Sequence, residues 1–292
     1  MKAIIFGISG QDGFYLKKVL QENNIECIGV SRTSGQWLSG DVSHTAFVNE
    51  LIKNEKPDYI FHLAANSTTR HDALYENHQT IATGSLNILE AVLQHSKSTK
   101  VFLAGSGLQF VNKGLPISEN DSLDASSTYC ISRIQSLYAA RYYRSLGLQV
   151  YFGYFFNHDS PLRSERHVNQ KIVQAAKRMA AGSKEILELG NIEVQKEFTF
   201  AGDVARAIFT LVQNDRIFEC VIGSGKAYSI AHWLDLCFEP LKIKWQDRVQ
   251  INSNFKAEYN ILVSNPTLIQ SLGWQVQVEV GALANMMLNF KN

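Results

Sequence analysis

Ala3-Ile4-Ile5-Phe6-Gly7-Ile8-Ser9-Gly10-Gln11-Asp12-Gly13-Phe14 is the stretch whose reading decides the fold. Ala3–Phe6 is a short apolar strand, Gly7–Gly13 a turn, and Phe14–Glu22 an amphipathic helix. Gly7 permits a tight turn, Gly10 lets a pyrophosphate approach the backbone, and Gly13 lets the helix pack closely on the strand. The helix N-terminus offers free N–H groups and a partial positive charge to phosphate. A glycine pattern alone is weak. Its position between a strand and a helix makes nucleotide binding through Gly7, Ser9, Gly10, Gln11, Asp12 and Gly13 a better reading than a structural turn.

Working outward, strands are expected at Ile25–Val30, Tyr59–Leu63, Lys100–Ala104 and Gln149–Phe156, with helices at Thr45–Asn54, Thr80–His95 and Tyr129–Leu146. Apolar strands alternating with helices of this length imply right-handed βαβ units and a parallel sheet. The fold class is therefore α/β: a Rossmann doubly wound parallel sheet with a smaller C-terminal substrate-binding lobe. Residues 1–157 are expected to form the dinucleotide-binding domain and 158–292 mainly the lobe, with some segments returning to the sheet. Past Asn157 the expected elements are a helix at Val168–Ala181, short strands at Ile186–Leu189 and Glu197–Phe200, and a helix Val204–Gln213 capped by Asp203. A strand at Phe218–Ile222, a helix capped by Ser229 and running to Phe238, an irregular Val249–Asn265 and a helical tail after Gly281 follow.

The composition narrows the function classes. The 292 residues carry a formal net charge of +1 and no long run of one sign, so no phosphate-tracking surface for nucleic acid is expected. Cys27, Cys130, Cys220 and Cys237 form no CxxC pair, which argues against a disulfide framework or a zinc site and suits a reducing cytoplasm. No segment approaches ~20 apolar residues, and the apolar run at Ala3–Phe6 is too short for a signal peptide, so no membrane partner is expected.

Further residues point to a dinucleotide site. Ser31 and Arg32 end the second strand, and Arg32 lies nineteen residues past Gly13. An acid there would hold the ribose 2′-hydroxyl of NAD, whereas an arginine suits a 2′-phosphate, so NADP(H) is favoured over NAD(H). Asp41 and Val42 could flank the adenine. Leu63, Ala64 and Ala65 end the third strand, where small residues let a dinucleotide lie close, and Ser67 follows. Tyr129 and Arg133 are four apart on one helix and share a face. With Ser106 after a strand, they make a candidate acid/base group in which the cation favours phenolate formation.

Together these residues resemble the extended short-chain dehydrogenase/reductases that modify nucleotide sugars, and among them the GDP-mannose 4,6-dehydratases and GDP-4-keto-6-deoxy-mannose reductases. Gly7–Gly13 is similar to the dehydratases' glycine loop, and Phe156-Asn157-His158-Asp159-Ser160-Pro161 to their Phe-Asn-His-Glu-Ser-Pro segment. His167–Ile172, Leu189-Gly190-Asn191, Phe200–Val204, Asn265-Pro266-Thr267 and Leu272-Gly273-Trp274 follow in the same order, so the likeness covers nearly the whole chain. The resemblance implies a nucleotide-diphosphate sugar bound between the sheet and the lobe by Ser67, Ser106, Asn157, Val168, Asn169 and Lys171, with Lys196 nearby. It implies catalysis by Ser106, Tyr129 and Arg133, with Tyr129 and Arg133 also touching the cofactor. It also implies a homodimer through the helices near 80–95 and 129–146.

The departures carry as much information. The family's Tyr-x-x-x-Lys reads Tyr129-x-x-x-Arg133 here, and a guanidinium is not interchangeable with an ammonium. Leu108 stands two residues past Ser106, where the dehydratases carry a glutamate that moves protons during loss of water, and leucine can do neither step. A phosphate-binding arginine of the central lobe is matched only by Lys196, and a later one near Glu258 by Phe255 or Lys256. Ketone reduction needs only hydride transfer and a proton donor. An NADP(H)-dependent reductase of a nucleotide-linked 4-keto sugar, with GDP favoured as the nucleotide, therefore ranks first. A dehydratase or epimerase with another acid/base, for which His62, His158 and Asp159 are candidates, ranks second, and a non-catalytic dinucleotide-binding paralogue third.

Overall fold

The computed structural model describes residues 1–252, 254–255 and 257–290, so Lys256 lies outside the described residues. β1 (Lys2–Phe6) runs into α1 (Gln11–Glu22), followed by β2 (Glu26–Ser31), β3 (Leu38–Ser39), α2 (Thr45–Glu55) and β4 (Tyr59–His62). Next come α3 (Leu74–Asn77), α4 (Gly84–His95), β5 (Lys100–Ser106), α5 (Thr128–Ser145), β6 (Val150–Phe155), β7 (His158–Asp159), α6 (Val168–Ala180), β8 (Leu187–Leu189), β9 (Gln195–Glu197) and β10 (Thr199–Phe200). The chain continues through α7 (Ala201–Val212), β11 (Glu219–Ile222), β12 (Ala227–Ser229), α8 (Ile230–Phe238), β13 (Val249–Ile251), β14 (Ile261–Leu262), α9 (Thr267–Ser271) and α10 (Val280–Asn289).

Seven strands form one parallel sheet in the order β11-β6-β5-β4-β1-β2-β3. The apolar character of β1 follows from its burial on both faces. Ile4 and Phe6 pack towards α2, α4 and α5 through Val48, Ile88 and Leu137, while Ala3 and Ile5 pack towards α1 and α7 through Leu16 and Ile208. A third core joins α6, α8 and α10 around the fully buried Trp233, Phe238 and Leu283. At roughly 1.5–3 kcal/mol for each large apolar side chain buried, this layer is ample support for a cavity wall. No helix among the described residues is long and apolar enough to cross a membrane.

Some sequence expectations are corrected. α1 starts at Gln11, because Gly10 already takes an extended capping conformation (φ −82°, ψ 165°). The helix expected over Thr80–His95 is present and starts earlier, at Leu74, with a π-helical turn over His78–Thr83 inside it before α4 begins at Gly84. The buried His62 lies under this turn, and its Nε2–H donates to the Thr80 carbonyl at 3.0 Å. A side chain at Gly84 would meet Val42 Cγ1 at 2.8 Å, so this turn is pressed against the strand ends. Asp203 does not cap α7. It lies inside the first turn, fully buried, and accepts from the N–H groups of Gln277 (3.1 Å) and Val278 (3.0 Å) while pairing with Arg206. The strand expected over Glu197–Phe200 divides, because β9 pairs with β12 and β14 and β10 with β7. Ser229 does cap α8, accepting from His232 N at 3.0 Å.

Candidate active site

At the carboxyl ends of β1, β2 and β4, Gly7 takes φ +96° and the turn folds back on Ala64. A Cβ on Gly7 would lie 2.6 Å from the Ala64 nitrogen, and one on Gly13 2.5 Å from the Gly7 carbonyl oxygen. Gly10 differs: its only near neighbour would be the Gly7 oxygen at 3.4 Å, so one side of that residue is open. The open side faces a cavity of 200 Å³ lined by Gly7, Ser9, Gly10, Ser31, Arg32, Asp41 and Val42 on one flank and by Leu63, Ala64 and Ala65 on the other. Ser9 and Ser31 share a hydroxyl hydrogen bond of 2.8 Å on the first of these flanks. Asp41 is held by Ser43, whose N–H and hydroxyl donate at 2.9 and 2.8 Å. Burial pushes the Asp41 carboxyl up, but these bonds and the Arg32 charge hold it below the usual range. Arg32 reaches across the mouth to Glu76 at 2.9 Å.

Gln11 and Asp12 face elsewhere. The Gln11 amide donates to the His158 carbonyl and accepts from Ser160 Oγ at 2.9 Å, so its side chain ties α1 to the segment after β6. Asp12 Oδ1 meets His158 Nε2 at 2.9 Å. Burial opposes both charges, yet each partner reverses that for the other, leaving Asp12 lowered and His158 raised.

A second cavity, of 190 Å³, adjoins the first through Leu63 and is lined by Ser67, Ser106, Leu108, Tyr129, Arg133 and Asn157. The structure thus brings the three expected catalytic residues together. Ser106 ends β5 and accepts from Leu108 N at 3.2 Å. Tyr129 stands in the first turn of α5, which Ser127 caps by accepting from Cys130 N at 3.2 Å. The Arg133 guanidinium lies 5.0 Å from the centre of the Tyr129 ring, and its Nη1 donates to the Ala104 carbonyl. Arg133 Nε and His62 Nδ1 are buried without a partner. Burial and the Arg133 charge push His62 down to about 4, so it is neutral. Leu108 packs beside Tyr129 and Ile81.

A third cavity, of 570 Å³, lies in the lobe and is lined by Val168, Lys171, Leu189, Asn191, Lys196 and Tyr259, among others. Lys171 Nζ donates to the Glu188 carbonyl at 2.7 Å. Lys196 is buried, and desolvation pushes it down to about 8 against the opposing pull of Asp159. Asn169, expected at the substrate, instead lies buried against Asp159 and lines none of these three cavities. The Tyr259 hydroxyl donates to Asn157 Oδ1 at 3.3 Å, which places this pair between the second and third cavities. Three groups near the site were missed by sequence reasoning. Arg163 contacts Asp159 and His167 at 3.7 and 3.3 Å and lines the second cavity. Glu76 and Tyr259 reach the site from distant segments. Only the charged run Arg163–His167, next to the resembling segment, carried any local signal.

Comparison with known proteins places the chain in a family. The family model described as GDP-mannose 4,6 dehydratase matches residues 4–287. GDP-mannose 4,6 dehydratase 1 of Arabidopsis thaliana is 28% identical over 98% of this chain and 88% of its own length. The GDP-mannose 4,6-dehydratase of Sinorhizobium fredii (strain HH103) is 26% identical, covering 98% and 95%. Among solved structures, UDP-glucose 4-epimerase of Thermotoga maritima with UDP-glucose superposes with a TM-score of 0.88 at 19% identity, covering 99% and 97% of the two chains. RMD from Pseudomonas aeruginosa complexed with NADPH gives 0.85 at 20%, covering 98% and 96%. With a family match over residues 4–287, on a chain that runs from a glycine turn through the parallel sheet to a C-terminal lobe, this chain belongs to the GDP-mannose 4,6-dehydratase family of short-chain dehydrogenase/reductase enzymes.

Proposed function

We propose that this chain reduces the 4-keto group of a nucleotide-linked sugar, preferably a GDP-sugar, with NADPH as reductant. One observation supports reduction over loss of water. Leu108 lines the cavity at the position where the sequence resemblance places the dehydratases' acid/base glutamate, and Asp12, the only carboxylate among the described residues lining that cavity, is held by His158. The ketone, NADPH and one proton give the secondary alcohol and NADP⁺. Tyr129 donates the proton to the sugar oxygen, and the Ser106 hydroxyl hydrogen-bonds the same oxygen. The Arg133 guanidinium lies over the Tyr129 ring and places a positive charge in this wall.

The residues fit a dinucleotide. The open side of Gly10 and the unpaired N–H groups at the start of α1 suit a pyrophosphate, and the orphaned Arg133 Nε is a donor for the ribose near the reaction centre. When bound, the reduced dinucleotide supplies hydride from its nicotinamide. Arg32 is the residue that would take a 2′-phosphate. Beyond residue 157, the α6–α8–α10 layer would carry the sugar nucleotide, with Lys171 and Lys196 beside its diphosphate. A homodimer through α4 and α5 suits the exposed Leu86, Ile131, Tyr138 and Tyr142, the last three on one face of α5.

Mass spectrometry tests the activity. Pure protein with NADPH is given intact GDP-, UDP- and dTDP-hexoses, or their 4-keto-6-deoxy derivatives. A gain of two hydrogens on a keto sugar is expected. Loss of water from an intact hexose would reject the reading. That outcome would favour a second one, with Glu258 as acid/base, because Glu258 accepts from the Thr69 hydroxyl and Thr69 lines the reaction cavity.

Lys196 gives a pH prediction. Its protonated form attracts the diphosphate, and its midpoint in the free protein is about 8. Affinity for GDP should hold at neutral pH and fall as pH rises through that midpoint. Lys196→Met should weaken GDP by about tenfold or more and flatten the pH dependence, as expected for one charge-assisted hydrogen bond. Titration calorimetry across that range checks it; an unchanged pH profile in the variant would remove Lys196 from the site.

A further inference from the structure

Arg32 does not stand alone at the mouth of the nucleotide cavity. Its Nη2 meets Glu76 Oε1 at 2.9 Å, and the other carboxylate oxygen, Oε2, accepts from Asn66 Nδ2 at 2.8 Å. Glu76 therefore bridges the end of β2 to the segment after β4. The bridge is anchored from below: the side chain of Asn77 donates to the Thr68 carbonyl at 3.0 Å, and Thr68 N donates to the Asn66 carbonyl at 2.8 Å. Hydrogen bonds from Arg32 and Asn66 hold the Glu76 carboxyl below its usual range, so it is charged at neutral pH.

We propose that Glu76 sets how strongly this protein distinguishes NADP(H) from NAD(H), by competing with the 2′-phosphate for the Arg32 guanidinium. The inference rests on the reading of Arg32 as the 2′-phosphate residue. A 2′-phosphate arriving at Arg32 meets a guanidinium whose charge is already neutralised, and it brings its own negative charge close to a carboxylate. It must displace Glu76 from Arg32 or share the fork with it, whereas a 2′-hydroxyl leaves the ion pair undisturbed. Both side chains are about half exposed (54% and 42%), so water screens the pair and the competition is modest. Glu76 thus lowers the preference for NADP(H) that Arg32 alone would confer.

The test is dinucleotide binding to the full-length protein, read by titration calorimetry with NADP⁺ and NAD⁺. Glu76→Gln keeps the shape and the Asn66 contact and removes the charge. It should tighten NADP⁺ about twofold to fivefold and leave NAD⁺ nearly unchanged, the scale expected for an exposed ion pair. Glu76→Ala should do the same in direction. Equal shifts for both dinucleotides, or none, would overturn the inference. So would a selective loss of NAD⁺ affinity, which would make Glu76 a ribose ligand instead. Arg32→Ala separates the two levels of the argument. If it abolishes the discrimination while Glu76→Gln does nothing, the reading of Arg32 stands and Glu76 has no part. If it leaves the NADP⁺/NAD⁺ ratio untouched, the reading of Arg32 falls and takes the inference with it.

Discussion

Tyr129→Phe is expected to lower keto-sugar reduction by roughly 10²- to 10⁴-fold, the range for loss of a positioned general acid. Dinucleotide affinity should stay nearly intact. The ring is buried in the first turn of α5 beside Ile81 and Leu108, with the Arg133 guanidinium 5.0 Å from its centre. Phenylalanine retains that packing and the cation–ring contact, so the cavity wall survives and only the O–H is lost. Turnover with a keto sugar and a fluorescence titration with NADPH report the two properties separately. Unchanged turnover would reject Tyr129 as the acid, and a parallel loss of NADPH binding would mean that the variant damages the wall.

The glycine turn supplies the second large effect, through a pair of substitutions with opposite readouts. Gly7→Ala should destabilise the fold. Its φ of +96° disfavours any Cβ, and the added carbon would sit 2.6 Å from the Ala64 nitrogen and 2.9 Å from its Cα. Backbone strain and overpacking together imply roughly 3 kcal/mol or more. In a chain of this size that is a fall in Tm of roughly 5 °C. Gly10→Ala should leave Tm nearly unchanged, because φ −82° and ψ 165° are ordinary and the nearest contact would be 3.4 Å. Its methyl would occupy the open side where a pyrophosphate must approach, so NADPH should weaken by about tenfold or more, the loss of at least one charge-assisted hydrogen bond. Thermal melts and NADPH titrations on both variants check the contrast. Equal behaviour of the two would contradict the division of roles.

The sheet was largely legible because its central strands are buried on both faces, so that β1, β4 and β5 read as apolar runs with little ambiguity. What escaped depends on contacts between distant segments. At the π turn over His78–Thr83, the Thr80 carbonyl meets His62 on a strand, a contact with no local signature. Asp203 looks like a cap from its neighbours, yet its carboxylate serves the N–H groups of Gln277 and Val278 some seventy residues on. In the site, Ser106, Tyr129 and Arg133 were readable because two share a helix face and the third ends a strand. The contact of Asn169 with Asp159 on β7 was not legible, because it joins a helix to a short strand outside the sheet. Glu76 had no local signal, since its meaning comes only from Arg32 and Asn66 meeting it.

Hydride transfer to the sugar is read with NADPH deuterated on the transferring face of nicotinamide C4, a GDP-linked 4-keto-6-deoxyhexose and pure protein. The predicted result is one deuterium at sugar C4 in the alcohol product and one NADP⁺ formed for each alcohol. A product without deuterium, or water lost from intact GDP-mannose with no net oxidation of NADPH, would contradict it.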